Sequence, residues 1–193
     1  MAAKILSGEV VSQAMRAEMA EEVARLKERD VIPGLAVVLV GDDPASISYI
    51  KEKRRACKKI GIHSIEHTLD AAVAEDEIVE VVNGLNADRT INGILVQLPL
   101  PRHLDERRIL SSVDPSKDVD GLHPVNLGKL LRGEDGFLPC TPHGIQQLLL
   151  RSGIEIEGRH VVIVGRSILV GKSLANLLLR KAPGANATVT VCH

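Results

Sequence analysis

One segment of this chain sets a phenol and a primary amine four residues apart. Tyr49 and Lys53 lie in a stretch whose composition favours a helix. Residues at positions i and i+4 share one helix face, so both side chains can point into one cavity. A lysine held near apolar surface can lose its proton and act as an acid or base near neutral pH. The pair indicates chemistry on a flat heterocycle that Tyr49 borders. The alternative interpretation is a solvated basic helix face, formed by Lys51, Lys53, Arg54, Arg55, Lys58 and Lys59.

A second segment places an amide at the end of an apolar run. Gln97 follows GILV (93–96) and precedes Leu98-Pro99-Leu100-Pro101. The side-chain amide of Gln97 has both donor and acceptor functions, so it can orient Lys53 by hydrogen bonding. The two prolines would stiffen the wall of the loop. The alternative is an ordinary strand that ends in a proline turn.

Two loops carry further candidate residues. DPSKDVDG (114–121) is acidic, and a buried Asp120 would accept hydrogen bonds from the N–H groups of a heterocycle. The alternative is a solvated acidic loop. PCTP (139–142) is a stiff turn, and Cys140 has no partner in the local sequence that would activate it.

A glycine-spaced turn lies between a predicted strand and a predicted helix. It contains Gly165, Arg166, Ser167 and Gly171. Free backbone N–H groups at a helix N-terminus bind phosphate, which makes this turn a candidate dinucleotide site. The next predicted strand ends in Val191-Cys192-His193, without the acidic residue that holds the ribose of NAD. Arg166 can meet a 2′-phosphate, so the pattern favours NADP.

Composition excludes several classes of protein. The chain has 193 residues and a net charge of −1, so it lacks the basic excess that tracks nucleic acid. No apolar run approaches the ~20 residues that span a bilayer, and the N-terminus MAAKILSGEV has no signal-peptide pattern. Three cysteines without CxxC spacing and seven histidines without a ligand motif predict neither disulfides nor a metal site. A reduced, cytoplasmic setting fits these features.

Strand and helix patterns alternate through the first part of the chain. The predicted strands are 35–40, 62–68 and 92–97, and the predicted helices are 8–29, 44–60 and 75–87. Strand 62–68 is the least apolar and is expected nearer a sheet edge. Repeated βα units predict a parallel sheet, whose ligands bind beyond the carboxyl ends of the strands. The GDDPAS turn (41–46) and Gln97 both fall at that edge.

The later part of the chain is predicted to begin a second structural unit. Residues 111–142 are loop-rich, and helix 143–151 is expected to connect the units near a boundary at 139–150. A strand at 160–164, a helix at about 172–181 and a strand at 187–191 follow. One βαβ unit cannot close a nucleotide-binding sheet, which needs roughly 100 further residues. We therefore expect the chain to be part of a longer enzyme.

Together these motifs resemble the bifunctional methylenetetrahydrofolate dehydrogenase/methenyltetrahydrofolate cyclohydrolase family. The resemblance rests on VGDDPASISYIKEKRRACKKIGI (40–62), GILVQLPLP (93–101), DPSKDVDG (114–121), PCTP (139–142) and VVIVGRSILVGKS (161–173). It implies an α/β fold, with a three-layer parallel-sheet folate domain at 1–140. An incomplete Rossmann-type NADP-binding domain would follow at 141–193. It also implies a homodimer. One departure is Ser173, where the family usually has proline; we expect this to change only the stiffness of the helix start.

The resemblance also implies a role for each candidate residue. Lys53 would be the catalytic amine, Gln97 would hold it, and Tyr49 would border the folate rings. Asp120 would anchor the pterin beside Leu98 and Pro99 in the substrate site. The cofactor site for NADP would be shaped by Gly165, Arg166, Ser167 and Gly171.

The implied reaction has two steps within one-carbon metabolism and purine biosynthesis. NADP oxidises 5,10-methylenetetrahydrofolate to 5,10-methenyltetrahydrofolate, and water then converts that cation to 10-formyltetrahydrofolate. One alternative is a folate-binding fragment with cyclohydrolase activity only, or with no activity. Another is an amino-acid or shikimate-type dehydrogenase, which shares the two-domain plan by fold analogy alone. YxxxK also occurs in short-chain dehydrogenases, but there the glycine-rich unit comes first, and here the order is reversed.

Overall fold

The fold consists of two compact units. It comes from a computed structural model that describes residues 3–193, so the first two residues of the predicted domain 1–140 lie outside the described part. One unit spans Arg16–Val119. The other combines the chain up to Met15 with Asp120–His193.

The Arg16–Val119 unit is built on a three-stranded sheet. Its elements are α1 (Gly8–Lys27, whose first residues belong to the other unit), β1 (Gly34–Val40), α2 (Pro44–Ile60), β2 (His63–Leu69), α3 (Glu75–Ala87), β3 (Gly93–Val96) and α4 (Glu106–Ser112). The strand order is β2-β1-β3, and both pairings are parallel. The predicted parallel sheet is therefore confirmed, with β2 at an edge.

Helices cover both faces of this sheet. Alternate residues of β1 belong to two separate hydrophobic clusters, because successive side chains of a strand point to opposite faces. Ala36, Val38 and Val40 pack in the cluster that contains α3 and α4. Val37 and Leu39 pack with α2. Burial on both faces explains why β1 is apolar throughout instead of alternating. The result is the predicted three-layer arrangement.

The ends of α2 are fixed by its sequence. The Asp43 carboxylate accepts a hydrogen bond from the Ser46 N–H at 2.8 Å, and Pro44 occupies the first turn. This hydrogen bond lowers the pKa of Asp43. Gly61 has φ 88°, and its N–H donates to the Cys57 carbonyl. Only glycine adopts this left-handed conformation without strain, so α2 ends where the sequence predicts.

The Asp120–His193 part contains a two-stranded sheet and three α-helices. Its elements are α5 (Pro124–Arg132), α6 (Cys140–Arg151), β4 (His160–Val164), a π-helical turn (Ile168–Lys172), α7 (Ser173–Leu179) and β5 (Thr188–Cys192). β4 and β5 pair in parallel, as the βαβ pattern predicts. A core of Ile156, Ile163, Leu174, Ala175 and Leu178 lies between the sheet and the helices.

Two features differ from the sequence prediction. The segment 111–142 is not simply loop-rich, because it contains all of α5. This nine-residue helix is too short for a clear periodic pattern, although Pro124 at its start and Gly133 after its end are ordinary helix boundary signals. The helix predicted at 143–151 begins at Cys140, since Pro142 sits in the first turn, where no backbone donor is needed.

No helix in the described range 3–193 is both long and apolar enough to cross a lipid bilayer.

Lys117 ties the loop before Val119 to the C-terminus of α3. Its Nζ donates to the carbonyl oxygens of Leu85, Asn86 and Asp88, at 3.1, 2.8 and 2.7 Å. The last carbonyls of a helix lack partners within the helix, and this ammonium donates to carbonyls at the end of α3.

Replacing Lys117 by methionine should therefore destabilise the Arg16–Val119 unit. The substitution keeps the length of the side chain but removes all three donors. The free energy of unfolding should fall by about 1.5–3 kcal/mol, the usual contribution of hydrogen bonds to charged groups. Urea unfolding followed by circular dichroism measures this change. Lys58→Met, on the exposed last turn of α2, is the control and should change stability little; equal losses in both variants would contradict the assignment.

Candidate active site

The centre of the site is a hydrogen bond between Lys53 and Gln97. The Lys53 Nζ donates to the Gln97 Oε1 at 2.8 Å, and both side chains are half-buried. The Gln97 Nε2 donates to the carbonyl of Leu98 at 2.7 Å. Because the amide nitrogen is engaged by Leu98, the amide oxygen faces the lysine. The arrangement fixes the position of the amine at the end of the Lys53 side chain.

The sheet explains why these two residues meet. The Gln97 N–H donates to the Val38 carbonyl at 2.8 Å and so continues the β1–β3 pairing one residue past β3. α2 begins shortly after β1 and packs against the same sheet through Ile50. The carboxyl ends of parallel strands share one edge, which brings Gln97 close to the helix that carries Lys53.

Three further candidate residues are close in sequence to Lys53 or Gln97: Tyr49, Leu98 and Pro99. Tyr49 is one helical turn before Lys53, and 65% of its surface is exposed. The Leu98–Pro99 peptide is cis, and Pro99 is exposed. A solvent-facing phenol ring on the same helix face as the amine is available to stack on a ligand.

Asp120 belongs to the other compact unit, where it begins the Asp120–His193 part. Its side chain is half-buried, and its carbonyl accepts a hydrogen bond from the Cys140 N–H at 3.3 Å. Gly121 follows with φ 68°, and a Cβ there would lie 2.4 Å from the Leu138 carbonyl carbon. The backbone at Asp120 is thus held against the PCTP turn.

The four candidate cofactor residues form one tight turn after β4. The Ser167 Oγ accepts a hydrogen bond from the Val170 N–H at 3.1 Å, and the Ser167 carbonyl accepts one from the Lys172 N–H at 2.9 Å. A Cβ on Gly171 would lie 2.1 Å from the Gly165 carbonyl oxygen, so the two backbone segments touch. Arg166 is exposed at the tip.

Sequence reasoning missed the π-helical character of this turn and the part that Ser173 plays in it. Ser173 is buried, its hydroxyl donates to the Ile168 carbonyl, and its N–H donates to the Val170 carbonyl. A π-turn inside a helix often marks a functional site. The departure from proline at this position therefore adds a hydrogen bond to the turn in addition to any change in stiffness. The available signal in the sequence was a serine directly after the glycine-spaced turn.

The described residues contain no cluster of side chains that could bind a metal ion. Within residues 3–193, no group of three or more histidine, cysteine, aspartate or glutamate side chains is close enough to hold an ion. In the described part of the chain the three cysteines form no disulfide: Cys57 is buried, and Cys140 and Cys192 are exposed. Burial raises the pKa of the Cys57 thiol, which keeps it protonated and unreactive.

His143 makes stability depend on pH. It is half-buried on α6, and burial lowers its pKa below the ordinary value. The unfolded chain therefore binds a proton more readily than the folded chain. The free energy of unfolding should be undiminished above the unfolded pKa of about 6.5 and should fall as the pH drops from there through the lowered pKa.

Replacing His143 by glutamine should flatten that part of the stability profile. Urea unfolding at pH values between about 7 and 5 measures the slope. A parental slope in His143→Gln would contradict the assignment.

Comparison with known proteins matches two family models to two successive parts of the chain. Residues 6–120 match the catalytic domain of tetrahydrofolate dehydrogenase/cyclohydrolase. Residues 139–193 match its NAD(P)-binding domain.

Individual relatives are similar over the whole chain. The bifunctional protein FolD of Dehalococcoides mccartyi is 56% identical over 194 residues, and that of Syntrophobacter fumaroxidans is 52% identical. In both comparisons the alignment covers 100% of this chain and 66% of the relative. The chain thus spans a little under two thirds of the length of these curated relatives.

Solved structures share the fold. A bifunctional FolD methylenetetrahydrofolate dehydrogenase/cyclohydrolase from Campylobacter jejuni superposes with a TM-score of 0.94 at 44% identity, covering 100% of this chain and 67% of that one. A Trypanosoma brucei methylenetetrahydrofolate dehydrogenase-cyclohydrolase, solved with NADP cofactor and an inhibitor, gives 0.92 at 37% identity, covering 99% and 64%. With the family match over residues 6–120 and these identities, the chain belongs to the tetrahydrofolate dehydrogenase/cyclohydrolase family.

Proposed function

We propose that the protein oxidises 5,10-methylenetetrahydrofolate to 5,10-methenyltetrahydrofolate with NADP and hydrolyses that product to 10-formyltetrahydrofolate. The observation that supports this most directly is the Lys53–Gln97 hydrogen bond at the carboxyl edge of the sheet. It places a positioned amine beside the exposed ring of Tyr49, as chemistry on a flat, cationic heterocycle requires. The names of two similar solved structures, from Campylobacter jejuni and Trypanosoma brucei, give both activities for those proteins.

The hydrolysis step needs a group that moves protons. Water adds to the methenyl carbon and loses a proton, which neutral Lys53 accepts. The C–N5 bond then breaks, N5 takes up a proton from Lys53, and the hydroxyl proton leaves as the formyl C=O forms. One proton is released overall. A positioned acid–base group contributes about 10²–10⁴-fold to such a step. Gln97 keeps the amine in place through both transfers.

The oxidation step depends on alignment more than on acid–base catalysis. The nicotinamide cofactor, when bound, supplies a hydride acceptor. The turn at Gly165, Arg166, Ser167 and Gly171 fits a dinucleotide phosphate, because Gly171 has no side chain to block the approach of the backbone and a helix follows. Arg166 is exposed to meet a 2′-phosphate, and β5 ends at Cys192 without an acidic residue. These features favour NADP over NAD.

The remaining assignments follow the same reasoning. Leu98 and Pro99 would border the folate beside Gln97, and Asp120 would bind the pterin. Residues 1–140 would form the folate-binding catalytic domain, and residues 141–193 would begin the Rossmann-type domain. We further propose a cytoplasmic homodimer that supplies one-carbon units to purine biosynthesis.

The first experiment follows the disappearance of 5,10-methenyltetrahydrofolate by absorbance, with this chain and with buffer alone. Hydrolysis above the buffer rate is the expected result. A rate equal to buffer, in a preparation shown to be folded by circular dichroism, would contradict the proposed cyclohydrolase activity of this chain.

Replacing Gln97 by leucine should lower the hydrolysis rate by about tenfold to 10²-fold, because misplacing a catalytic group by about 1 Å costs a factor of that size. Leucine keeps the volume of the side chain but neither accepts from Lys53 nor donates to Leu98. Steady-state rates measure the loss. Gln13→Leu, on the exposed surface of α1, is the control and should retain the parental rate. Parental activity in Gln97→Leu would show that the lysine does not need the amide.

A further inference from the structure

A cavity separate from the candidate active-site residues lies in the Asp120–His193 part of the chain. It has a volume of about 410 Å³ and is formed where α5 and α7 end. Its lining includes Leu131, Arg132, Asn176, Leu179, Arg180 and Lys181. We call it the α5/α7 groove. Its volume lies within the range of about 300–1,000 Å³ that is usual for ligand sites.

The charges in the α5/α7 groove are positive and only partly compensated. Arg132 forms an ion pair with Glu134. In the described part of the chain, neither Arg180 nor Lys181 forms a side-chain ion pair or hydrogen bond. Arg180 is also half-buried, so its charge has lost part of its hydration without gaining a carboxylate. A bound anionic group would supply the missing partner.

The apolar lining is unusually open to solvent. Leu131 is 71% exposed and Leu179 is 53% exposed, and both contribute to the groove. Single exposed leucines are ordinary, but two of them lining one cavity beside uncompensated cations form a mixed patch of the kind that marks interaction sites.

Helix electrostatics explain only part of this arrangement. Cations near a helix C-terminus interact favourably with its dipole. That accounts for Arg180 and Lys181 after the last turn of α7 without any ligand. It does not account for the exposure of Leu131 and Leu179, since the same helix ends would be equally stable with polar residues there.

We propose that the α5/α7 groove binds an acidic amphipathic peptide segment of a partner protein. An apolar side chain of that segment seats between Leu131 and Leu179, and flanking carboxylates pair with Arg180 and Lys181. The leucines favour a peptide over a free inorganic anion, which would leave them exposed. Nucleic acid is disfavoured, because the chain has a net charge of −1 and the lining has no aromatic side chain on which a base could stack.

The test uses fluorescence anisotropy with the whole chain and three labelled peptides. The first is an amphipathic 12-residue helix former with leucine at positions i, i+3 and i+7 and glutamate between them. The second has lysine in place of glutamate, and the third has serine in place of leucine. The acidic amphipathic peptide should bind at least tenfold more tightly than either of the others.

Variants then locate the site. Leu179→Ser and Arg180→Glu should each weaken binding of the acidic peptide at least tenfold, and both should remain folded by circular dichroism because these side chains are not in the core. Val10→Ser and Lys58→Glu, at exposed positions elsewhere, are the matched controls and should bind normally. Neither groove variant changes a residue assigned to catalysis, so failure here leaves the proposed function intact.

Three results would overturn the proposal. The first is equal, weak binding of all three peptides at millimolar concentration. The second is displacement of the acidic peptide by inorganic phosphate without any effect of Leu179→Ser, which would identify a small-anion site. The third is self-association of the chain, measured by sedimentation, that Leu179→Ser abolishes, which would identify a contact between copies of this chain.

Discussion

Replacing Lys53 by methionine is expected to lower the rate of methenyltetrahydrofolate hydrolysis by about 10²–10⁴-fold, the usual contribution of a positioned acid–base group. Methionine has a similar length but carries no proton, so the water that attacks the methenyl carbon would have to lose its proton to solvent. The dehydrogenase rate should fall less, because hydride transfer depends on alignment and not on a proton shuttle. Parallel assays of the two activities in one preparation measure the difference.

The matched control for this prediction is Lys51→Met. Lys51 lies on the same helix, two residues earlier, and is exposed with no side-chain hydrogen bond among the described residues. Its replacement should leave both rates unchanged. Hydrolysis by Lys53→Met at the parental rate would remove Lys53 from the mechanism. Equal loss of both activities would instead assign it to substrate binding.

The structure separates one lysine from the rest of the basic segment on α2. The sequence alone is compatible with a solvated face of lysines and arginines. Lys51, Arg54 and Lys58 are exposed, whereas Lys53 is half-buried and bonded to Gln97. One lysine of this run therefore lies apart from the solvated face. The i, i+4 spacing from Tyr49 indicated which one, because residues at that spacing share a helix face.

The predictable part of the fold rests on strong local signals. β1 and β3 are apolar runs bounded by glycine or polar residues, and α2 has a capping aspartate, a first-turn proline and a terminal glycine. The helix α5 has comparable end signals, but its nine residues contain Gly128 and alternate apolar with polar side chains too briefly to set a period. Its formation depends on burial of Asn126 and Leu130 in the tertiary structure, which the sequence does not display.

The candidate site also has one part that the sequence predicts and another that it does not. The meeting of Lys53 and Gln97 follows from parallel topology, since both lie at the carboxyl edge of one sheet. The orientation of the Gln97 amide does not, because it depends on the position of the Leu98 carbonyl, which is a detail of backbone geometry. The π-turn after β4 likewise depends on the Ser173 hydroxyl and on how closely Gly171 approaches Gly165. Spacing rules identify the glycines but not that contact.

This contact leads to the second large effect: Gly171→Ala should both destabilise the Asp120–His193 part and weaken cofactor binding. The added Cβ would lie 2.1 Å from the Gly165 carbonyl oxygen, and its three nearest atoms are all backbone atoms that cannot rotate away. Forcing a methyl group into a packed site costs about 1–3 kcal/mol. The displaced turn should also bind NADP about tenfold more weakly, since the loss of one hydrogen bond to a charged group costs about 1.5–3 kcal/mol. Thermal unfolding and cofactor titration measure the two effects.

Gly144→Ala provides the control within the same unit. Gly144 lies inside α6, and a Cβ there would have nothing within 4 Å. Alanine in a helix interior is more favourable than glycine by about 0.5–1 kcal/mol, so this variant should be slightly more stable and bind NADP normally. The same chemical change thus has opposite expected signs at two glycines. Destabilisation of Gly171→Ala with normal cofactor affinity would separate the packing role of this residue from the cofactor site. Parental stability would show that the close approach to Gly165 is not required.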